Sequence, residues 1–342
     1  MTPYKTLAGL AAGAGLLAGI VLARRPPYSF AGKVVVITGG SRGLGLVLAR
    51  ELVHVHGARV ALVARTAEAL WRAADDLNAP GSVITIVGDV RSPADAEHIV
   101  DTVVERFGRI DVLINNAGVI VSAPLGTTTD EDFRNSLDVH FWGVLHMSRA
   151  ALKYLPRPGG RIVNICSIGG KLAVPHLAAY CVGKFAQAGL SSAMAEELRA
   201  EGVTVSTVYP GLMRTGSYVN AKFRGKVSQE FTAFALASSV PGISMGAERA
   251  ARQIIRAVRA GRRQIVIPWT IRQVDRIAAL APNLASAVFS GVNALLPSDT
   301  GNTTSPPVAG AELSLSPTVQ RVVTLGARAA VRNNETLEGE TS

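Results

Sequence analysis

Tyr180 and Lys184 stand four residues apart in Tyr180-Cys181-Val182-Gly183-Lys184, the spacing that puts two side chains on one face of a helix. An ammonium beside a phenol stabilises the phenolate. A free tyrosine, with a pKa of about 10, is a poor base at neutral pH, so a neighbouring cation is what makes it a usable general acid or base. A second cluster, Thr38-Gly39-Gly40-Ser41-Arg42-Gly43-Leu44-Gly45, follows the apolar run Val34 to Ile37 and precedes a segment whose Val47, Leu48 and Leu52 have helical spacing. Between a strand and a helix, such a turn is where a dinucleotide pyrophosphate should sit. Glycines let backbone amides approach the phosphates, and the helix N-terminus adds free N–H groups and a favourable dipole. Two cysteines, Cys166 and Cys181, cannot build a disulfide scaffold, and no CxxC or Cys/His cluster offers a metal site.

The elements that must position these residues follow from the rest of the pattern. The chain has 342 residues, 48% hydrophobic and 18% charged, which excludes a disordered polymer. Short β-rich runs begin at Val34 and recur at 59–64, 83–87, 111–114, 161–165, 203–208 and 264–267. Helix-length intervals such as 93–107, 129–154 and 178–200 separate them. Seven strands alternating with helices read as α/β, a doubly wound parallel sheet with helices on both faces. One domain over 31–270 is the economical division.

Further landmarks lie in order along that domain: Asp89-Val90 after the third strand, Asn115-Asn116-Ala117-Gly118 after the fourth, Ser167 after the fifth, and Tyr209-Pro210-Gly211 with Thr215 after the sixth. With the TGxxxGxG spacing of Gly39, Gly43 and Gly45 and the YxxxK pair, the chain resembles the short-chain dehydrogenase/reductase family from residue 33 to about 270. The resemblance implies a Rossmann fold and hydride transfer between a nicotinamide and a carbonyl or secondary alcohol. Tyr180 is then the general acid/base, aided by the oxidised nicotinamide's charge. Ser167, thirteen residues before it, holds the substrate oxygen, and Lys184 also holds the nicotinamide ribose. The cofactor contacts it implies are Gly39, Ser41, Arg42, Gly43, Leu44 and Gly45 at the turn, Asp89 and Val90 near the adenine, Asn116, Ala117 and Gly118, and Pro210, Gly211 and Thr215, the last near the carboxamide. A homodimer or homotetramer is the implied assembly.

One position departs from the family. Its fourth catalytic residue, an Asn on the helix after NNAG, aligns with His140. An imidazole can shuttle protons to Lys184 with a different pH response, or it can be a satisfied core histidine. A membrane-tethered nucleotide-binding sensor without turnover is therefore the alternative function, and His140 is its only sequence support. The place after the second strand where NAD-binding relatives carry an acid is Ala64, followed by Arg65. Arg42 adds a second cation, and guanidinium suits phosphate. NADP(H) is the expected cofactor.

The net charge of +10 is concentrated. Residues 1–30 carry Lys5, Arg24 and Arg25 and no acid, while 249–276 carry eight arginines against Asp275. The remainder is balanced, so no general basic field exists for nucleic acid. The uncharged run Thr6 to Ala23, roughly 27 Å long as a helix, is just long enough to cross a bilayer core. Its Gly9/Gly13 and Gly15/Gly19 pairs have GxxxG spacing. We expect 1–30 to be a membrane anchor, with the catalytic domain on the cytosolic side where NADP(H) is supplied. Arg249, Arg252, Arg256 and Arg259 form one helical stripe that either faces water or meets anionic headgroups.

The substrate is expected to be a lipophilic ketone or alcohol. Phe223, Phe231, Phe234, Leu236 and Met245 either close an apolar pocket or pack a lid helix, and Lys222, Arg224 and Lys226 are solvated or meet lipid. Residues 271–342 read as a helical and partly disordered extension. It comprises apolar helices over 271–296, a linker over 297–310 and a helix starting at Ser316-Pro317.

Overall fold

The computed structural model describes residues 26–298 and 305–336. Its centre is a seven-stranded parallel sheet of β1 (Val34–Thr38), β2 (Arg59–Ala64), β3 (Val83–Val87), β4 (Val112–Asn115), β6 (Arg161–Ile165), β7 (Thr204–Pro210) and β11 (Gln264–Ile267), in the order β11-β7-β6-β4-β1-β2-β3. Short strands β5 (Val121–Ser122), β8 (Met213–Arg214), β9 (Lys222–Phe223), β10 (Met245–Gly246) and β12 (Val308–Ala309) form two small ladders. Every residue of β1 and β4 is buried, because helices cover both faces, and that is why these strands are continuous apolar runs rather than alternating ones. Val35 pairs with Val60 on one side and Val112 on the other. From β1 the chain steps outward to β2 and β3; from β4 it steps the other way through β6, β7 and β11. The loops leaving β1 and β4 therefore diverge and open a crevice at their carboxyl ends.

The helices are α1 (Gly43–Arg50), α2 (Ala67–Leu77), α3 (Pro93–Phe107), α4 (Asp130–Leu137), α5 (Gly143–Leu152), α6 (Ala178–Glu197), α7 (Val227–Ser239), α8 (Ala247–Arg259), α9 (Trp269–Leu280), α10 (Pro282–Ala294), α11 (Pro317–Val322) and α12 (Thr324–Arg332). One face of the sheet packs against Leu46, Leu48, Leu70, Ile254 and Val258; the other packs against Ile99, Val103, Met147 and Met194. Local signals set the ends. Ser92 accepts a bond from the Asp95 amide ahead of Pro93, and Gly108 ends α3 at φ 77°. On α8, Ala250, Ile254 and Val258 are buried while Arg249, Arg252 and Arg256 face solvent. Arg259 departs from that stripe, because its Nε donates to the Tyr28 carbonyl at 3.0 Å.

The amino ends of the strands are locked by Asp111, whose side chain is fully buried. It accepts from the Val34 amide at 3.0 Å, from Lys33 Nζ at 3.2 Å and from Arg109. Burial raises the affinity of this carboxyl for a proton, but the amide and the two cations outweigh burial and hold its pKa below the ordinary value. Tyr28 lies at the same end, with the Arg161 guanidinium 4.1 Å from its ring centroid.

Residue 270 is not a break in packing. Val308 and Ala309, expected in a linker, pair antiparallel with Phe223 and Lys222, and Val323 and Ala330 share a core with Tyr218, Phe223 and Phe231. Gly216, at φ 91°, lets Ala330 approach so closely that a Cβ would collide with it. By contrast, α10 buries no residue and exposes Leu284, Val288 and Val292. Among the described residues no helix is long and apolar enough to cross a membrane, and the expected anchor at residues 6–23 lies outside them.

Asp111→Ala would leave the Val34 amide buried without an acceptor. It should lower unfolding stability by about 2 to 3 kcal/mol, measured as a reduced midpoint in urea with an unchanged slope.

Candidate active site

The crevice is closed on its floor by one side chain. Thr38, at the end of β1, is buried, and its Oγ1 accepts from the amides of Asn116 at 3.0 Å and Ala117 at 3.1 Å. In return, Asn116 Nδ2 donates to the carbonyls of Thr38 (3.1 Å) and Gly39 (3.0 Å). The loops after β1 and β4 are thereby stitched together across the point where strand order reverses. Gly39, at φ 62°, leaves only 2.9 Å between a hypothetical Cβ and Ala117 Cα, and a Cβ on Gly45 would collide with the Gly39 carbonyl. Arg42 precedes α1 in extended conformation, and no side chain caps the first amides of that helix. Ser41, Leu44 and Gly45 are buried beneath it.

The cations lie around this turn. Arg42 Nη1 donates to Asn220 Oδ1 at 2.9 Å, and Arg65 is exposed just beyond β2. Asp89 is held by Arg91, whose Nη2 donates at 2.6 Å, while the Asp89 amide donates to Asp95 Oδ2. Burial works against the Asp89 charge, but the Arg91 bonds prevail and its pKa is lowered. Val90 is buried against Gly143. At the far wall, Pro210 ends β7, Ile271 of α9 fills the space a Gly211 side chain would need, and Thr215 is buried with its Oγ1 accepting from the Ser217 amide.

Ser167, Tyr180 and Lys184 meet beyond the end of β6. Ser167 Oγ accepts from the Gly169 amide at 3.0 Å and shares a hydrogen bond with the Tyr180 hydroxyl. Lys184 is buried, its Nζ 5.7 Å from the Tyr180 ring centroid, and donates to the Ile165 carbonyl (3.0 Å) and Gln187 Oε1 (2.9 Å). Burial pulls its pKa down to about 8. The expected acidification of Tyr180 by Lys184 is not found. Burial pushes the phenol up and the Ser167 bond offsets only part of that, so Tyr180 holds its proton across neutral pH.

His140 sits on a single wide π-turn, Asp138–Trp142, between α4 and α5, a distortion often found at functional sites. Its ring stands edge-on to Tyr180 with centroids 5.4 Å apart. Nε2 accepts from the Val119 amide at 3.3 Å, which assigns the ring proton to Nδ1, 3.2 Å from Ser136 Oγ. Burial, with Lys184 adding to it, holds the imidazole well below its ordinary pKa. Of the two readings of this residue, proton shuttle or satisfied core histidine, the geometry favours the second: both nitrogens are hydrogen-bonded, and burial disfavours the charged ring. Gly118 and Gly183 make room for it, since hypothetical Cβ atoms would stand 3.2 and 2.8 Å from its nitrogens.

Sequence reasoning missed several supporting residues. Gln187 orients Lys184, and Asn115, Asn164, Ser191 and Thr207 form a buried chain of side-chain hydrogen bonds under the site. Ser136, four residues before His140, was a readable signal. On the substrate side, Phe223 and Phe231 are packed with Phe234 and Leu236 under α7, and Met245 lies in the core of the other layer. Arg224, expected to be solvated or to meet lipid, is 8% exposed with its Nε 2.9 Å from Asp132 Oδ2. The lid helix is tied down by Glu230, which accepts from Ser122 Oγ at 3.2 Å and lies 2.6 Å from His176 Nδ1.

A neutral buried histidine destabilises the fold wherever the unfolded chain binds a proton that the folded one refuses. Stability should fall as pH drops below about 6.5, and His140→Asn should flatten that slope in urea titrations at pH 5 and 7. The His140 ring signals in NMR should not titrate between those values.

The family model described as short chain dehydrogenase matches residues 33–223. An 11-beta-hydroxysteroid dehydrogenase A from Arachis hypogaea is 33% identical over 267 residues, covering 76% of this chain and 75% of the relative. A short-chain dehydrogenase/reductase from Burkholderia phymatum, solved with NAD, superposes with a TM-score of 0.67 at 25% identity, over 84% of this chain and all of that one. L-sorbose reductase from Gluconobacter frateurii, solved with NADPH and L-sorbose, gives 0.61 at 25% identity over 70% and 96% of the two chains. With the family model spanning more than half its length, the chain belongs to the short-chain dehydrogenase/reductase family of oxidoreductases.

Proposed function

We propose that the chain is an NADP(H)-dependent oxidoreductase acting on a lipophilic ketone or secondary alcohol. The observation that carries this reading is the convergence of Ser167, Tyr180 and the buried Lys184 beside the glycine turn. The residues at the turn fit a dinucleotide: the first amides of α1 have no side-chain cap, Arg42 and Arg65 flank it, and β2 ends on Ala64 rather than an acid. A carboxyl group, that of Glu335, already lies against Gly43, as expected of a place that accepts phosphate oxygens. Gly39 to Gly45 would hold the pyrophosphate, Arg42 and Arg65 the 2'-phosphate, Asp89 and Val90 the adenine, Asn116 to Gly118 and Lys184 the ribose side, and Pro210, Gly211 and Thr215 the carboxamide.

A bound nicotinamide supplies or accepts the hydride. Tyr180 gives its proton to the carbonyl oxygen in reduction and takes it back in oxidation. Its raised proton affinity keeps it in the form that reduction consumes. Ser167 hydrogen-bonds the same oxygen and stabilises the charge that develops there. Lys184, mostly protonated below its pKa of about 8, is aimed by Ile165 and Gln187 and adds positive potential. A lipophilic substrate is supported by the hydroxysteroid dehydrogenase relative. The uncharged run at residues 6–23 supports a membrane anchor, and the supply of NADP(H) in the cytosol is the reason for placing the domain on that side.

Tyr180→Phe removes the transferable proton and leaves the ring packing. Turnover of NADPH against a panel of lipophilic ketones should fall at least about 100-fold, with NADPH binding unchanged; retained activity would refute the assignment. Arg42→Ala combined with Arg65→Ala should raise the NADPH dissociation constant about tenfold more than that for NADH. Equal losses would remove the 2'-phosphate argument.

A further inference from the structure

The C-terminal segment runs into the crevice along the glycine turn. The Gly43 amide, at the start of α1, donates to the Asn333 carbonyl at 2.9 Å. Asn333 is fully buried; its Nδ2 donates to the Thr215 carbonyl at 3.2 Å, and its Oδ1 accepts from Arg50. Asn334 takes a left-handed conformation, φ 58°, which asparagine tolerates better than most residues. That turn directs its Nδ2 to the carbonyls of Ser41 (2.8 Å) and Ala69 (3.0 Å), while Arg72 donates to its Oδ1.

Glu335 completes the arrangement. Its side chain is 5% exposed, and Oε1 stands 2.6 Å from the position a Cβ on Gly43 would take. Oε2 accepts from Asn220 Nδ2 at 2.6 Å and lies 3.7 Å from Arg42 Nε. A carboxyl group thus lies at the glycine that must stay bare for a phosphate to approach, beside the cation that would meet the cofactor's extra phosphate. An amide at the helix start and both side chains on Arg42's flank are used by the tail.

We propose that the pyrophosphate end of the nucleotide site is also a binding site for the chain's own Asn333–Glu335 segment, so that dinucleotide and tail compete for it. This rests on the dinucleotide reading given above. The tail is suited to being displaced. Burial outweighs the pull of Arg42 and raises the Glu335 pKa to about 7, so the carboxyl is a reluctant anion in that place. A pyrophosphate brings more charge to the same helix N-terminus and cation. Binding is then an exchange, and the apparent dissociation constant is the intrinsic one divided by the fraction of molecules whose tail is out.

The test measures NADPH and NADH binding by nucleotide fluorescence to the full chain and to its Glu335→Ala and Asn334→Ala variants. Asn334→Ala changes no charge, so it separates loss of the tail's grip from loss of its negative charge. If the tail is docked in about nine molecules of ten, both variants should lower the NADPH dissociation constant about tenfold. Saturating NADPH should also speed hydrogen exchange at residues 333–336 of the unmodified chain. Unchanged or weaker binding by Asn334→Ala, or exchange at 333–336 that NADPH leaves unaltered, overturns the proposal. Binding by the variants but not the unmodified chain supports it. Absence of binding by all three proteins overturns the dinucleotide reading and the competition together.

Discussion

The hydroxyl of Thr38 is the point on which the site depends. It accepts two amides from the loop after β4 while belonging to the strand that leads into the glycine turn, and so it joins the two loops that strand order would otherwise separate. A parallel sheet gives no hydrogen bonds between chain segments once they leave their strands; the crevice edges must be tied by side chains or stay loose. With Asn116 returning two bonds to the same turn, the nucleotide side and the catalytic side become one rigid unit. Substitutions that look remote from chemistry, at Thr38 or Asn116, act on both.

A second constraint is the burial of the catalytic lysine. An ammonium taken out of water needs oxygen acceptors, and Lys184 finds them in the Ile165 carbonyl and Gln187. Those bonds fix where its charge lies, and that charge in turn opposes protonation of His140. Burial keeps the histidine ring neutral, with Lys184 adding to it, and Val119 and Ser136 hydrogen-bond its two nitrogens. Polar order therefore extends inward from the crevice through Asn115, Asn164, Ser191 and Thr207, where an unmet hydrogen bond would be costly.

What the sequence disclosed was whatever is local. The apolar run of β1, the glycine turn and the Tyr180–Lys184 spacing are each set by neighbours within a few residues, and the order of the landmarks along the chain was enough for the sheet. The role of His140 was not legible, because it depends on an amide 21 positions away and on the bare backbone of Gly118 and Gly183. Arg224 read as a surface charge because nothing nearby in the chain announces Asp132 as its partner. The return of residues 305–336 was invisible for the same reason: Val308 and Ala309 are two residues of strand, and Gly216, which admits α12 at Ala330, lies far earlier in the chain.

The entry of the chain at Tyr28 has a consequence for orientation. Tyr28 is pinned by Arg161 and Arg259 at the amino ends of the strands, on the side away from the crevice. Should residues 6–23 span a bilayer, the only slack between lipid and domain is Arg24 to Pro27, about 14 Å at full stretch. Such a leash is too short to swing the domain over. The membrane would then face the sheet's closed end while the mouth opened to the water beyond, and a greasy substrate would have to leave the lipid and travel around the protein to be reduced.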